Sequence, residues 1–148
     1  MLDQVEIFHG LSREELAALE DSSSSENYPK NTVVIQENEP ADALYVIESG
    51  RVKVYCSDKN GKEFIMNSLG VGDYFGELAL LDDSARSASV RTVEPCQFRI
   101  VKKEDFSKVL TDNPGITQQL LGNLAARVRK LTTDVMNLAL QDVYGRVA

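Results

Sequence analysis

The chain has 148 residues, 43% of them hydrophobic, with 23 Asp and Glu against 16 Lys and Arg and a net charge of -7. That length suits one domain plus an appendage, with enough apolar material for a real core. The sequence pI of about 4.7 argues against this chain wrapping DNA or an anionic membrane by itself.

The N-terminus has no basic region followed by an apolar one, and no apolar run approaches the roughly 20 residues that span a bilayer, so the chain reads as cytoplasmic and no membrane partner is expected. His9 is the only histidine, in "EIFHGL", a segment that reads as packing. A metal site or a Ser-His-Asp triad would have to use it, so neither a metal ion, a cofactor nor a catalytic centre is expected. Ser12-Arg13-Glu14-Glu15 has the form of a capping box before "LAALE". This predicts a short helix with Leu11, Leu16 and Leu19 facing inward. The polar "DSSSSENYPKN" ends that helix and reads as a solvated connector.

From Thr32 to Lys102 the period changes. "TVVIQ", "ALYVIES", "RVKVYCSD", "KEFIMNSL", "SASVRTVE" and "CQFRIVK" are short and rich in β-branched or aromatic residues. Val52, Val54 and Cys56 alternate with Arg51, Lys53 and Tyr55. Asn60-Gly61 predicts a type I′ hairpin turn, and Gly50, Gly70 and Gly72 punctuate the other runs. Short strands with glycine turns at this spacing indicate an antiparallel barrel or jelly roll. Cys56 and Cys96 fall in separate strand-like runs, which makes them small buried hydrophobes rather than a disulfide or metal pair.

"KKEDFSKVLTDNP" predicts a short helix ending before Pro114. A long helical pattern follows to about Leu140. Leu121, Leu124, Val128, Leu131, Val135 and Leu138 step by alternate threes and fours, which is an a/d seam. A second copy of the chain, in a parallel two-stranded coiled coil, accounts for that seam better than a helix lying wholly on its own barrel. Asp142 takes the next a position and ends the stripe, so "DVYGRVA" is expected to begin something new.

The stretch "FGELALLDDSARSASV" carries the chemistry. Helix-forming "ELALL" after Gly76 points free N–H groups at an anion, and the glycine lets the anion come close. Arg86 offers a fork for two oxygens of one phosphate, and Ser87 offers a hydroxyl. Glu77 repels a phosphate but accepts hydrogen bonds from a sugar hydroxyl. Ala79, Ala85 and Ala88 leave room. The pair then reads as phosphate plus ribose of one small molecule; the competing reading is a surface Glu–Arg ion pair.

The same stretch resembles the phosphate-binding cassette of cyclic-nucleotide-binding domains. "DALYVIESGRVKVY" and "GVGDYFGE" resemble barrel strands of that domain, and "NLALQDVYGRVA" resembles the junction between dimerisation helix and DNA-binding domain in CRP/FNR-type regulators. The resemblance implies a mainly β fold with flanking helices, a double-stranded β-helix jelly roll. It implies a barrel over 1–113, a dimerisation helix over 114–141, and the start of a linker to an absent helix-turn-helix domain over 142–148. Arg86 and Ser87 would contact the cyclic phosphate and Glu77 the ribose 2′-hydroxyl. The backbone of Gly76, Leu78 and Ala88 would line the phosphate end, with Ala79 beside it. The residues that read adenine in cAMP-responsive members fall at Leu131 and Thr132, of which only Thr132 can hydrogen-bond. A solvated helix threonine is the competing reading there.

The implied protein is the cAMP-sensing (or cGMP-sensing) part of a dimeric transcription regulator, contacting DNA only in a full-length form and catalysing nothing. Ligand binding would alter the arrangement of the dimer helices. The alternatives are a regulatory domain of a kinase or channel, and a dimerisation module without ligand.

Overall fold

The computed structural model describes residues 2–5, 8–82 and 84–147; the side chains of Leu78, Ala79 and 142–147 fall outside the description. A short 3₁₀ turn at Leu2–Gln4 precedes α1 (Arg13–Ser22), followed by β1 (Ser24–Tyr28), β2 (Val33–Ile35), β3 (Ala43–Ser49), β4 (Val52–Ser57), β5 (Glu63–Leu69) and β6 (Tyr74–Phe75). Then come α2 (Glu77–Asp82), β7 (Ser89–Thr92), β8 (Cys96–Lys102), α3 (Lys103–Asp112) and α4 (Pro114–Val147). The strands form two four-stranded sheets, ordered β1-β8-β3-β6 and β2-β7-β4-β5. All pairs are antiparallel. This is the jelly-roll arrangement, with helices on one outer face.

Period-two alternation builds both cores at once. On β3, Tyr45 and Ile47 point between the sheets, where they meet Phe75, Phe98, Val52 and Val90. Leu44 and Val46 point the other way, onto Leu19, Phe106, Ile116 and Leu120 of the helices. A one-residue slip would exchange the two sets, so the register is strongly specified. Gly50 joins β3 to β4 at φ +92°, where an added Cβ would lie 2.5 Å from both the Cys96 Sγ and the Pro95 carbonyl oxygen. Only glycine fits there.

The capping box forms as the sequence indicates. Glu15 N–H donates to Ser12 Oγ and Ser12 N–H to Glu15 Oε1, both at 3.2 Å. Leu11 and Leu19 are buried and Leu16 half-buried.

Several sequence expectations are corrected. The serine-rich connector contains β1, paired along β8 from Ser24↔Ile100 to Tyr28↔Cys96. Its residues are mostly exposed, so no apolar alternation announced it. The two-residue β6 was also not anticipated. The Asn60-Gly61 turn is not type I′, because Asn60 lacks the positive φ that type needs and only Gly61 has it, at 81°. Instead Gly61 N–H donates to Asp58 O at 3.1 Å, and the Asp58 carboxylate accepts from the N–H groups of Asn60 and Lys62 at 2.9 and 2.8 Å. The side chain of Asp58 thereby selects a type I turn with a glycine bulge. His9 is exposed; its neighbour Phe8 does the packing.

On β4, Tyr55 is buried although it points outward, because Arg91 stacks over its ring at 4.8 Å. Val54 and Cys56 point inward and are only half-buried, because they face a cavity rather than a filled core. Both cysteines are free, Cys96 buried and Cys56 intermediate. Helix α4 continues past 141 to Val147, so the end of the apolar stripe at Asp142 does not end the helix.

A cavity between the barrel and the long helix

Phe75 ends β6 and stacks on Tyr45, ring centroids 5.1 Å apart and 2° from parallel. The next residue, Gly76, has φ +92° and turns the chain into α2. A Cβ at Gly76 would lie 2.6 Å from Arg86 Nη1 and 3.3 Å from Ala43 O, so the glycine is what lets the arginine approach. Arg86 is 4% exposed. It donates from Nη1 to Gly76 O at 2.7 Å and from Nη2 to Ala43 O at 3.0 Å. Its guanidinium lies 6.0 Å from the centre of the Tyr45 ring.

The backbone of Arg86 is pinned as firmly. Its N–H donates to Glu39 O at 2.8 Å, and its carbonyl accepts from Asn38 N–H at 2.9 Å. Burial pulls the Arg86 pKa below its ordinary value, opposed by Tyr45, Asp42 and Glu77. The charge persists nonetheless, because a guanidinium does not deprotonate in proteins. The two bonded carbonyls leave donors over, and Arg86 lines the cavity.

Glu77 opens α2 and is 3% exposed. A carboxylate that far from water needs a cation. Arg127 of α4 supplies it, Nη1 donating to Glu77 Oε1 at 2.9 Å. Arg127 was not singled out by sequence reasoning. The usable signal was its place one helical turn before Leu131, on the flank of the seam. The competing reading, a Glu77–Arg86 surface pair, does not form; each residue is buried with a different partner.

The enclosed space is about 350 Å³. Gly76, Arg86, Ser87 and Ala88 make one end. Val54, Cys56, Met66 and Leu69 of β4 and β5 make a mostly apolar wall, and Arg127, Lys130, Leu131 and Asp134 of α4 close over it. Ser87 is exposed, and its carbonyl accepts from the Cys56 thiol at 3.6 Å. Burial raises the Cys56 pKa, with the Glu37 charge adding to it. Just behind, Ser89 Oγ accepts from Glu37 N–H at 2.8 Å and ties the cassette to the β2 side. Leu78 and Ala79 lie in α2, their side chains outside the described residues.

The structure therefore brings Gly76, Glu77, Arg86, Ser87 and Ala88 to one cavity. Thr132 is not among them. Its Oγ1 donates to Val128 O at 3.0 Å and it is exposed. It occupies the e flank of the seam, while the cavity-lining Arg127 and Asp134 occupy the g flank. The chain's own cavity is lined from that second flank. Among the seam residues Leu124 packs on the core. Leu121, Val128, Leu131, Val135 and Leu138 are 48–65% exposed in the single chain.

A second hollow, beside Tyr28, Pro29 and Pro95, is lined by no charged side chain. Among the described residues no three His, Cys, Asp or Glu side chains gather as metal ligands. No described helix is long and apolar enough to cross a membrane.

Residues 25–113 match the family model "Cyclic nucleotide-binding domain". A CRP-like cAMP-activated global transcriptional regulator of Mycobacterium tuberculosis is 33% identical over 148 residues, all of this chain and 66% of that protein. The crystal structure of the Thermus thermophilus catabolite activator protein superposes with a TM-score of 0.79 at 30% identity, covering 90% of this chain and 62% of that one. The sensor domain of the transcriptional regulator DNR from Pseudomonas aeruginosa gives a TM-score of 0.79 at 29% identity, covering 87% of each chain. The chain thus spans about two thirds or less of the length of the first two.

Proposed function

The chain belongs to the cyclic nucleotide-binding domain family, and on that premise we propose that its cavity takes a cyclic purine mononucleotide as the signal of a dimeric transcription regulator. The observation that carries this is Arg86: a buried guanidinium at the end of a cavity, held by two carbonyl oxygens. Carbonyls orient it but leave its net charge uncompensated, and one monoanionic cyclic phosphate compensates it. Ser87 and the amides at the start of α2 add donors to the same phosphate. Glu77 takes the ribose hydroxyl, as an acceptor already oriented by Arg127. cAMP is the first candidate, because it is the ligand in the names of the relatives; cGMP is the second.

The exposed seam is covered by a second copy of the chain, whose helix meets Leu121, Val128, Leu131, Val135 and Leu138. In that pairing Thr132, on the flank away from its own cavity, faces the partner's barrel. Glu77–Arg127 links cassette and helix directly, so a sugar hydroxyl that engages Glu77 acts on α4 as well. A ligand that favours one helix arrangement shifts the population toward it, and DNA-binding domains carried by those helices would change spacing. The protein is a cytoplasmic binding module, with DNA contact belonging to a longer form.

Calorimetric titration of the chain with cAMP and cGMP tests the proposal. Saturable binding of at least one is expected; heats of dilution alone for both would overturn it.

A further inference from the structure

Resting on the reading of the cavity as a cyclic nucleotide site, we infer that Lys130 and Asp134 are its base-reading residues, and that the pair accepts both purines. Arg127, Lys130, Leu131 and Asp134 all line the cavity from one face of α4, at the three- and four-residue spacing of a helical stripe. Arg127 marks the sugar end through its bond to Glu77. Asp134, also in the lining, lies about 10 Å further along the axis at about 1.5 Å per residue, away from that sugar end.

Leu131, between them, cannot hydrogen-bond, and Thr132 spends its hydroxyl proton on Val128 O outside the lining. Among the described residues neither Lys130 nor Asp134 has an ion-pair partner within 4.0 Å. The helix thus presents one free donor and one free acceptor side by side. Adenine offers an amino donor beside a ring-nitrogen acceptor; guanine offers a carbonyl acceptor beside a ring N–H donor. Both edges are complementary to an ammonium next to a carboxylate, in opposite order. Both side chains are exposed, and the flexible four-carbon stem of Lys130 can swing its ammonium to either side of the shorter Asp134 carboxylate, so the pair can serve either order. A rigid hydrogen-bonding site would reject one of the two bases by a much larger factor.

The test is calorimetric titration of the full chain with cAMP, cGMP and cyclic purine riboside monophosphate, whose base has the ring acceptor but neither amino nor carbonyl group. cAMP and cGMP are expected to bind within about tenfold of each other. Asp134→Ala is expected to weaken both by about tenfold, the scale of one hydrogen bond to a charged group, and to leave the purine analogue unchanged. Lys130→Ala is expected to weaken all three.

A hundredfold preference between cAMP and cGMP overturns the inference. So does an Asp134→Ala change that is absent for cAMP and cGMP, or as large for the purine analogue. If Arg86→Ala abolishes binding while Asp134→Ala is silent, the base assignment alone falls. If none of the three nucleotides binds the parent chain, the cavity reading falls with it. Both α4 positions are exposed, so circular dichroism should show an unchanged fold in each variant.

Discussion

Removing the Arg86 side chain separates the ligand reading from a purely structural one. A guanidinium has five N–H donors. The structure commits one to Gly76 O and one to Ala43 O, leaving the others for a ligand. Each hydrogen bond to a charged group contributes about 1.5–3 kcal/mol. Two bonds to a phosphate therefore put the cost of Arg86→Ala at about 3–6 kcal/mol, or roughly 10²–10⁴ in Kd at 1.36 kcal/mol per decade. The same substitution removes the Arg86 partner of two carbonyls, at about 1–3 kcal/mol of folding stability for each one left unsatisfied without ligand. Arg86→Lys keeps the charge but loses the fork, so it should fall between parent and Arg86→Ala in affinity. Calorimetry reads the affinity, and denaturant unfolding without nucleotide reads the stability. If Arg86→Ala binds within threefold of the parent while its fold is intact, the phosphate assignment is refuted.

Gly76→Ala forces a Cβ to 2.6 Å from Arg86 Nη1 in a left-handed backbone. It should weaken nucleotide binding at least tenfold and cost about 1–2 kcal/mol of stability; parent-like affinity would contradict the close approach. Val135→Asp places a carboxylate in the seam, away from the cavity lining. The parent chain should sediment as a dimer and this variant as a monomer at the same concentration, and a monomeric parent would reject the coiled coil. The Tyr28 hydroxyl is pushed up to about 12 by burial, by its hydrogen bond to Glu26 and by the Glu26 and Tyr45 charges. A raised folded pKa contributes stability that is complete below the unfolded value near 10 and is lost as pH rises through 12. Melting temperature should therefore fall between about pH 10 and 12, and Tyr28→Phe should flatten that part of the profile. An identical slope in the variant would remove Tyr28 as its source.

The jelly roll was legible because its strands alternate. Tyr45 and Ile47 against Leu44 and Val46 encode two cores in four residues. Strand β1 was not legible for the same reason turned round: "SSENY" buries almost nothing and is held by backbone pairing to β8. Backbone hydrogen bonds carry no side-chain signature. The Asn60-Gly61 turn failed differently. Propensity described the dipeptide, but the carboxylate of Asp58, two residues upstream, took the amides and set the turn. The alternation of Val52, Val54 and Cys56 along β4 was legible, yet the expected burial of Cys56 was not met, since alternation cannot distinguish a packed interior from a cavity wall.

The candidate site divides along the same line. Gly76, Glu77, Arg86, Ser87 and Ala88 lie within thirteen consecutive residues, so a contiguous motif could carry them. The residues that complete the site lie far off on α4 and are placed by packing. Arg127 is fifty residues from Glu77, and nothing local to either announces the pair. Yet the pair follows from two facts taken together. Glu77 must turn inward with the start of α2, because Gly76 reverses the chain beneath Arg86. A carboxylate so buried would be costly unless a cation met it. Arg127, on the helix crossing the mouth of the barrel, supplies it. The cassette thus specifies its own chemistry locally and creates, by burying a charge, the demand that the long helix answers. The ion pair is the direct side-chain link between the cassette and the long helix, and it is the contact through which the proposed ligand would act on that helix.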